Sequence, residues 1–427
     1  MADQEPAVGM LPGPESGGTQ AGSVGGLVPL GWFGAVLLML SAGWALPSTA
    51  SGTLLQALLA QQRGAAKGDW LAVVGSVGAV SAVASTVIAG AWSDRTRSRR
   101  GRRYPWILGG ATVGGLGLTL TGATAWIPAQ VLGFALFQGG MNALVAAAAA
   151  LVPDRVAPGS LGRASAWSAA GYLLGSSLGG VIASGLVGSP GVGLMLVPWT
   201  MLAATALLVL TVPAVPSLEP RAAVSSTEFR SLLSSLRPPR DRDFLLAFGG
   251  RFLVILGLTV LVFYQLYIFT DFLGLDTEQA ARQIARGTVL LGMTALLTTW
   301  VGGLAIDRTG RCRPLVVGAS LLVAGSAVPA AVAPGIGSLT VFYVLTGAGF
   351  GLYLSADQAL MVKVLPTAGA EAKELGMLSI ANSAPSLVAP VVAAMTAKYL
   401  GFHALFVFTV IVALLGGGCV GAIRRVR

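Results

Sequence analysis

Gly90-Ala91-Trp92-Ser93-Asp94-Arg95 closes one apolar run of this chain, and Gly303-Leu304-Ala305-Ile306-Asp307-Arg308 closes another. Asp307 follows Asp94 by 213 residues (307 − 94). Pro366, ending Val364-Leu365-Pro366, follows Pro153, ending Leu151-Val152-Pro153, by the same 213 (366 − 153). Leu161-Gly162 and Leu375-Gly376 stand 214 apart (375 − 161). Each match alone is as short as a chance likeness between loops. Three at nearly one interval mark an internal duplication.

Outward from these anchors, the chain is a series of charge-free runs, and a spanning helix needs about 20 apolar residues. Runs 27–62 and 70–93 hold one helix each. Run 104–153 holds two, turning near Trp126-Ile127-Pro128, and 164–218 holds two, turning near Gly188-Ser189-Pro190-Gly191. A polar stretch follows, with Arg221, Arg230, Arg237, Arg240 and Arg242. Runs 252–270 and 287–306 hold one helix each, 314–356 holds two around Ala333-Pro334-Gly335, and 375–397 and 399–423 complete twelve. The expected organisation is a disordered cytoplasmic tail (1–26), a six-helix bundle (27–213), a cytoplasmic linker (214–243), a second six-helix bundle (244–423) and a short tail (424–427). Because each repeat has an even number of spans, the copies run parallel, related by an axis along the membrane normal.

Composition agrees with an all-α integral membrane protein. Apolar residues make up 54% of the 427 and charged residues 10%. A soluble domain carries about 25% charge. The net charge of +10 does not point to nucleic acid, because the basic residues cluster between apolar runs. Of the 27 Lys and Arg, Arg63, Lys67, Arg282, Arg286 and Lys398 fall at odd-numbered loops, leaving 27 − 5 = 22 on the even-loop side. That split makes the even loops cytoplasmic, with both termini inside, in a plasma (inner) membrane. Trp32, Trp70, Trp92, Trp106 and Trp126 fall near expected helix ends, where indoles suit the headgroup layer. The N-terminus has no basic start for a secretory signal. Cys312 and Cys419 imply no disulfide framework, and no metal-ligand spacing or cofactor motif occurs. The single histidine, His403, has no nucleophile or metal partner in view, so no enzyme is expected. A receptor or scaffold would normally add a soluble domain. The expectation is a monomeric transporter whose partners are a small-molecule substrate, protons and the lipid bilayer.

The loop after helix 2 continues Asp94-Arg95-Thr-Arg-Ser-Arg-Arg-Gly101-Arg102-Arg103, and the loop after helix 8 continues Asp307-Arg308-Thr-Gly310-Arg311. This Gly-x-x-x-Asp-Arg followed by Gly-Arg resembles the signature of the major facilitator superfamily, over nearly the whole chain. The four extra residues in the first copy, with Asp357-Gln358-Ala359-Leu360, are similar to the sucrose transporters and the glycoside–pentoside–hexuronide symporters. Those symporters often place coupling acids in early helices, and here none lies between Glu15 and Asp69. The resemblance implies alternating access, with symport or antiport, and a cavity lined by helices 1, 4, 7 and 10.

The residues add candidates. Asp94, Arg95, Asp307, Arg308 and Arg311 are assigned to gating, through ion pairs and helix termini that form in one state and break in the other. Arg97, Arg99, Arg100, Arg102 and Arg103 read as topology determinants drawn to anionic lipid. Cavity candidates are Trp44 and Ser48 (with Ser41 and Ser51 on the same face), Gln138 and Asn142 one turn apart, and Tyr264, Tyr267 and Asp271 in line with Gln265 beside them. Helix 10 adds Tyr343, Thr346, Phe350, Tyr353 and Asp357 at steps of three and four. Interhelical bonding is the alternative for each polar group. Asp357 is the acid expected well inside a span. It either carries a coupling proton or pairs with Arg251 or Arg311. Drug or metabolite efflux and sugar uptake both remain open.

Overall fold

The computed structural model describes residues 28–93, 95–99, 101–157, 160–213, 241–364 and 371–423. The expected tails, most of the expected linker, Asp94 and the side chains of Asp307 and Asp357 lie outside the described residues. Twelve long helices fill the rest: α1 (Leu30–Arg63), α2 (Lys67–Ser93), α3 (Tyr104–Ala123), α4 (Ile127–Arg155), α5 (Leu161–Leu186), α6 (Pro190–Thr211, interrupted at Val197-Pro198), α7 (Arg242–Phe263), α8 (Thr277–Thr309), α9 (Arg313–Val332), α10 (Ile336–Val364), α11 (Glu371–Tyr399) and α12 (Phe402–Gly421). Among the described residues ten segments are long and apolar enough to span a bilayer, the first of them, Leu30–Gly90, holding α1 and most of α2. The outer surface is apolar, as lipid requires: Leu196 and Leu210 on α6, Leu297 and Trp300 on α8, and Ile411 and Leu415 on α12 are all exposed.

The pairing of helices repeats. In the first half α1 packs on α5, α2 and α3 pack on α4, and α1 and α3 pack on α6. In the second half α7 packs on α11, α8 and α9 pack on α10, and α7 and α9 pack on α12. The halves meet along α5–α8 and α2–α11, which are equivalent seams once six is added to each helix number.

Glycine sets the spacing inside each half. A Cβ at Gly171, Gly175 or Gly179 of α5 would overlap the carbonyl oxygens of Leu38, Ala42 and Leu46 on α1. Gly347 and Gly351 of α10 press in the same way on the backbone of α8 at Leu291 and Ala295. In lipid, where apolar burial drives no association, such backbone-to-backbone packing holds helices together.

Two helix boundaries correct the sequence reading. Helix 7 starts at Arg242, ten residues before the expected 252, because the Asp241 carboxylate accepts from the Phe244 N–H at 3.0 Å and caps it. Arg251 therefore sits inside α7, buried, and not at its start. Helix 8 starts at Thr277, not 287, with Asp276 accepting from Gln279 N–H at 2.7 Å. Its first turns carry Glu278, Arg282 and Arg286, which a search for charge-free runs excludes.

Candidate functional site

The α7 helix stops at Phe263 although the apolar run continues. Tyr264 leaves helical geometry, a single turn covers Gln265–Tyr267, and a π-helical turn covers Ile268–Phe272. A broken helix in a membrane leaves backbone groups that must find partners inside the protein. Here the partner comes from the other half. The Leu266 N–H donates to Gln56 Oε1 of α1 at 2.9 Å, and the Tyr267 hydroxyl donates to the Gln56 carbonyl at 3.0 Å. Gln56 Nε2 donates to Gly52 O at 3.0 Å, which fixes the amide. Gln265 Nε2 donates to Thr53 Oγ1 at 3.3 Å.

Beside the break lies a cavity of about 200 Å³. Leu258, Leu261, Phe269, Phe342, Phe350 and Phe406 form most of its wall, and Tyr172 of α5 reaches in from the first half. Its polar groups are few: Gln265, Tyr343, Tyr172 and Thr346, with no charged side chain among the described lining residues. The Tyr343 hydroxyl donates to Gln265 Oε1 at 3.4 Å. Thr53, Gln265 and Tyr343 thus form one chain of hydrogen bonds from α1 through the broken segment to α10. Both of its inter-residue links are long, and such bonds weaken steeply with distance.

Toward the odd-loop face, Tyr264, Tyr267 and Asp271 share the face expected of them, but it lines a separate polar vestibule of about 190 Å³ with Lys67, Asp69 and Lys398. Two ion pairs join the halves there. Lys67 Nζ lies 2.8 Å from Asp271 Oδ2 and 4.7 Å from the centre of the Tyr267 ring. Lys398 Nζ lies 3.0 Å from both carboxylate oxygens of Asp69. The Lys67 pair is 22% and 32% exposed and the Lys398 pair 55% and 59%, so solvent screens the second more.

The other candidates are dispersed. Trp44 packs on Tyr172 with ring centroids 5.4 Å apart, next to the cavity, and Ser48 is half-buried on the same helix. Asn142 donates to Gln138 O at 2.8 Å and accepts from Thr86 at 3.5 Å, which places the pair at the α2–α4 packing. Tyr353 lies not in the cavity but in a packed cluster at the even-loop end with Phe244, Cys312 and Val316, because α10 carries it three turns beyond Tyr343. Arg95, Arg308 and Arg311 are exposed on the even-loop face. The loop after α2 that carries Arg95 is tied within its own half: Arg102 and Arg103 pair with Asp154 of α4 at 2.6 and 3.2 Å, and Arg103 donates to Ser93 Oγ at 2.7 Å.

Sequence reading passed over Gln56, Thr53, Tyr172 and Asp154. Gln56 carried a usable signal, an amide in a span otherwise free of charge. Tyr172 and Asp154 carried none, since their roles depend on which helices pair.

Two bundles of six helices with equivalent pairings, meeting at seams around a buried cavity, define a membrane transporter fold. The chain belongs to the Major Facilitator Superfamily, whose family model matches residues 31–298 and 283–427. It is accordingly a multi-pass membrane transporter and not an enzyme. No curated protein sequence matches it. Among solved structures it is similar to a bacterial homologue of the human lysosomal transporter Spinster, inward-facing and occupied (TM-score 0.70, 15% identity, 93% of this chain and 97% of that one). It is also similar to the nucleoside transporter NupG (0.69, 14%, 91% and 99%) and to the human organic anion transporter MFSD10 (0.66, 18%, 92% and 100%).

Proposed function

We propose that this protein moves a neutral, largely apolar organic solute carrying one or two hydrogen-bonding groups, by alternating access. The observation that carries this reading is the lining of the cavity beside α7, apolar but for Gln265, Tyr343, Tyr172 and Thr346. A sugar buried there would leave most of its hydroxyls without partners, each costing about 1–3 kcal/mol. A drug-like or metabolite solute would bury its apolar body and bond to Gln265 or Tyr343. The reading therefore favours efflux of such a compound over sugar uptake.

The same polar groups link binding to movement. A solute that takes the Tyr343–Gln265 bond disturbs the chain through Thr53, which reaches across the halves. With the even loops cytoplasmic, as the 22-to-5 charge split supports, the links at Gln56, Lys67 and Lys398 close the outer side and the state is inward-facing. Arg95, Arg308 and Arg311, with Asp94 and Asp307, would then engage across the halves in the opposite state. A proton gradient drives the cycle, with Asp357 of α10 as its carrier and Arg251, buried in α7, as a second charge inside the bundle. The test is counterflow in proteoliposomes over a panel of neutral apolar compounds and sugars. Exchange of the apolar compounds, lowered roughly tenfold by Gln265→Ala (one lost hydrogen bond of about 1.4 kcal/mol), is expected. Exchange of sugars alone overturns the substrate class. Uphill accumulation that survives Asp357→Asn with its pH dependence unchanged overturns the proton role.

A further inference from the structure

Five basic residues lie on the odd-loop side, against the charge bias of the chain. Three have a protein partner outside their own helix: Lys67 with Asp271, Lys398 with Asp69, and Arg63, whose guanidinium donates to the Ala125 carbonyl in the α3–α4 turn. Arg282 and Arg286 are different. They are exposed, one turn apart on α8, and they border a groove of about 510 Å³ on the seam between α5 and α8. Its remaining lining is Val181 and Ser184 of α5 and Ala285, Val289 and Leu290 of α8, with no acid among these residues. The Arg282–Glu278 pair at 3.4 Å is 53% and 68% exposed, too weak and too wet to occupy the guanidinium against a stronger anion.

Depth decides what that anion is. The 33 residues of α8 span roughly 50 Å, against about 30 Å of hydrocarbon. The charge-free run 287–306 is by itself about 30 Å long, so residues 277–286 overhang the hydrocarbon by roughly 15 Å. Arg286 stands nine residues into α8 (286 − 277), roughly 13 Å along the axis. Arg282 therefore lies in the headgroup layer, at the level of lipid phosphates, and Arg286 at the inner edge of that layer. Two guanidinium forks one turn apart suit a phosphodiester, and the apolar floor below suits an acyl chain.

We propose that the α5–α8 groove is a phospholipid site, with Arg282 and Arg286 holding the phosphate and Val181, Val289 and Leu290 the upper part of a chain. The lipid lies against both halves at once, so the bilayer becomes a component of the seam. This goes beyond solute transport, and it stands or falls by binding alone.

The test places a photo-crosslinker in the groove, Ser184→p-benzoylphenylalanine, in the full chain reconstituted with phosphatidylglycerol, and identifies adducts by mass. Phosphatidylglycerol is expected to crosslink, with yield falling roughly tenfold in R282Q/R286Q (about 1 kcal/mol of attraction lost per arginine near the surface, partly offset by other contacts). R282K/R286K keeps most of the yield and controls for folding, and R97Q/R99Q on the opposite face leaves it unchanged. Yield that is insensitive to R282Q/R286Q overturns the proposal. So does equal crosslinking of diacylglycerol, which lacks the phosphate, or loss of the phosphatidylglycerol adduct when inorganic phosphate is present during illumination, which would make the ligand a free anion.

Discussion

The seams inside each half and the seams between the halves are built from different materials. Inside, α5 rides on α1 through Gly171, Gly175 and Gly179, and α10 on α8 through Gly347 and Gly351, backbone against backbone. Between them, at the odd-loop face, stand an amide, two ion pairs and a vestibule. The first kind has one close-packed geometry, and moving it means overlap. The second can be exchanged for water or another partner at modest cost. The contrast divides the molecule into bodies that hold their shape and a junction that opens.

The largest effect is expected from filling the permanent seam. Gly175→Leu drives a side chain into the Ala42 backbone, and α5 cannot move off without losing its neighbours at Gly171 and Gly179. Overpacking costs about 1–3 kcal/mol where a core can give, and more against a rigid backbone. The expected outcome is loss of monodisperse protein on size exclusion. A well-folded Gly175→Leu variant would mean that the helices are less tightly seated than described.

Next comes Gln56→Leu, which removes the acceptor for the Leu266 N–H. An orphaned buried donor costs about 1–3 kcal/mol. Since the loss falls only in the state where the halves touch, the population should shift by about tenfold or more toward opening at the odd-loop face. Labelling of Thr53→Cys by an impermeant thiol reagent from that side should rise accordingly. An unchanged rate would show that Gln56 serves α1 alone.

Smaller again is the Lys67–Asp271 pair. A double-mutant cycle with Lys67→Ala and Asp271→Ala should give a coupling of up to about 1 kcal/mol, reduced by salt. The Lys398–Asp69 pair, more exposed, should couple less and vanish first as salt rises. The reverse order would place the stronger gate at α11.

The fold was legible in the sequence because lipid imposes a strong rule: charge-free runs and basic loops gave the helices and the duplicated anchors gave the two halves. The chemistry at the junction was less so. Tyr264, Tyr267 and Asp271 were found on one face, as a 3.6-residue period demands. Gln265 was separated from them toward the cavity with Tyr343. What periodicity could not show is that α7 breaks at Tyr264, because no proline or glycine marks the spot. The helix yields there because Gln56, 210 residues away in sequence, satisfies the backbone. Tyr353 was misplaced for a related reason. A helix face runs the full depth of the membrane, and position along it decides cavity or packing.

The central claim is that two bodies of fixed shape turn about a junction held at the odd-loop face. Its most direct test is a pair of pulsed electron–electron distances on the even-loop face. One pair of spin labels, at Arg97→Cys and Thr309→Cys, spans the halves, and the other, at Arg97→Cys and Arg163→Cys, stays within the first. Combining Gln56→Leu, Lys67→Ala and Lys398→Ala should shorten the first distance and leave the second unchanged. A first distance that does not move, or a second that moves as far, would contradict the account.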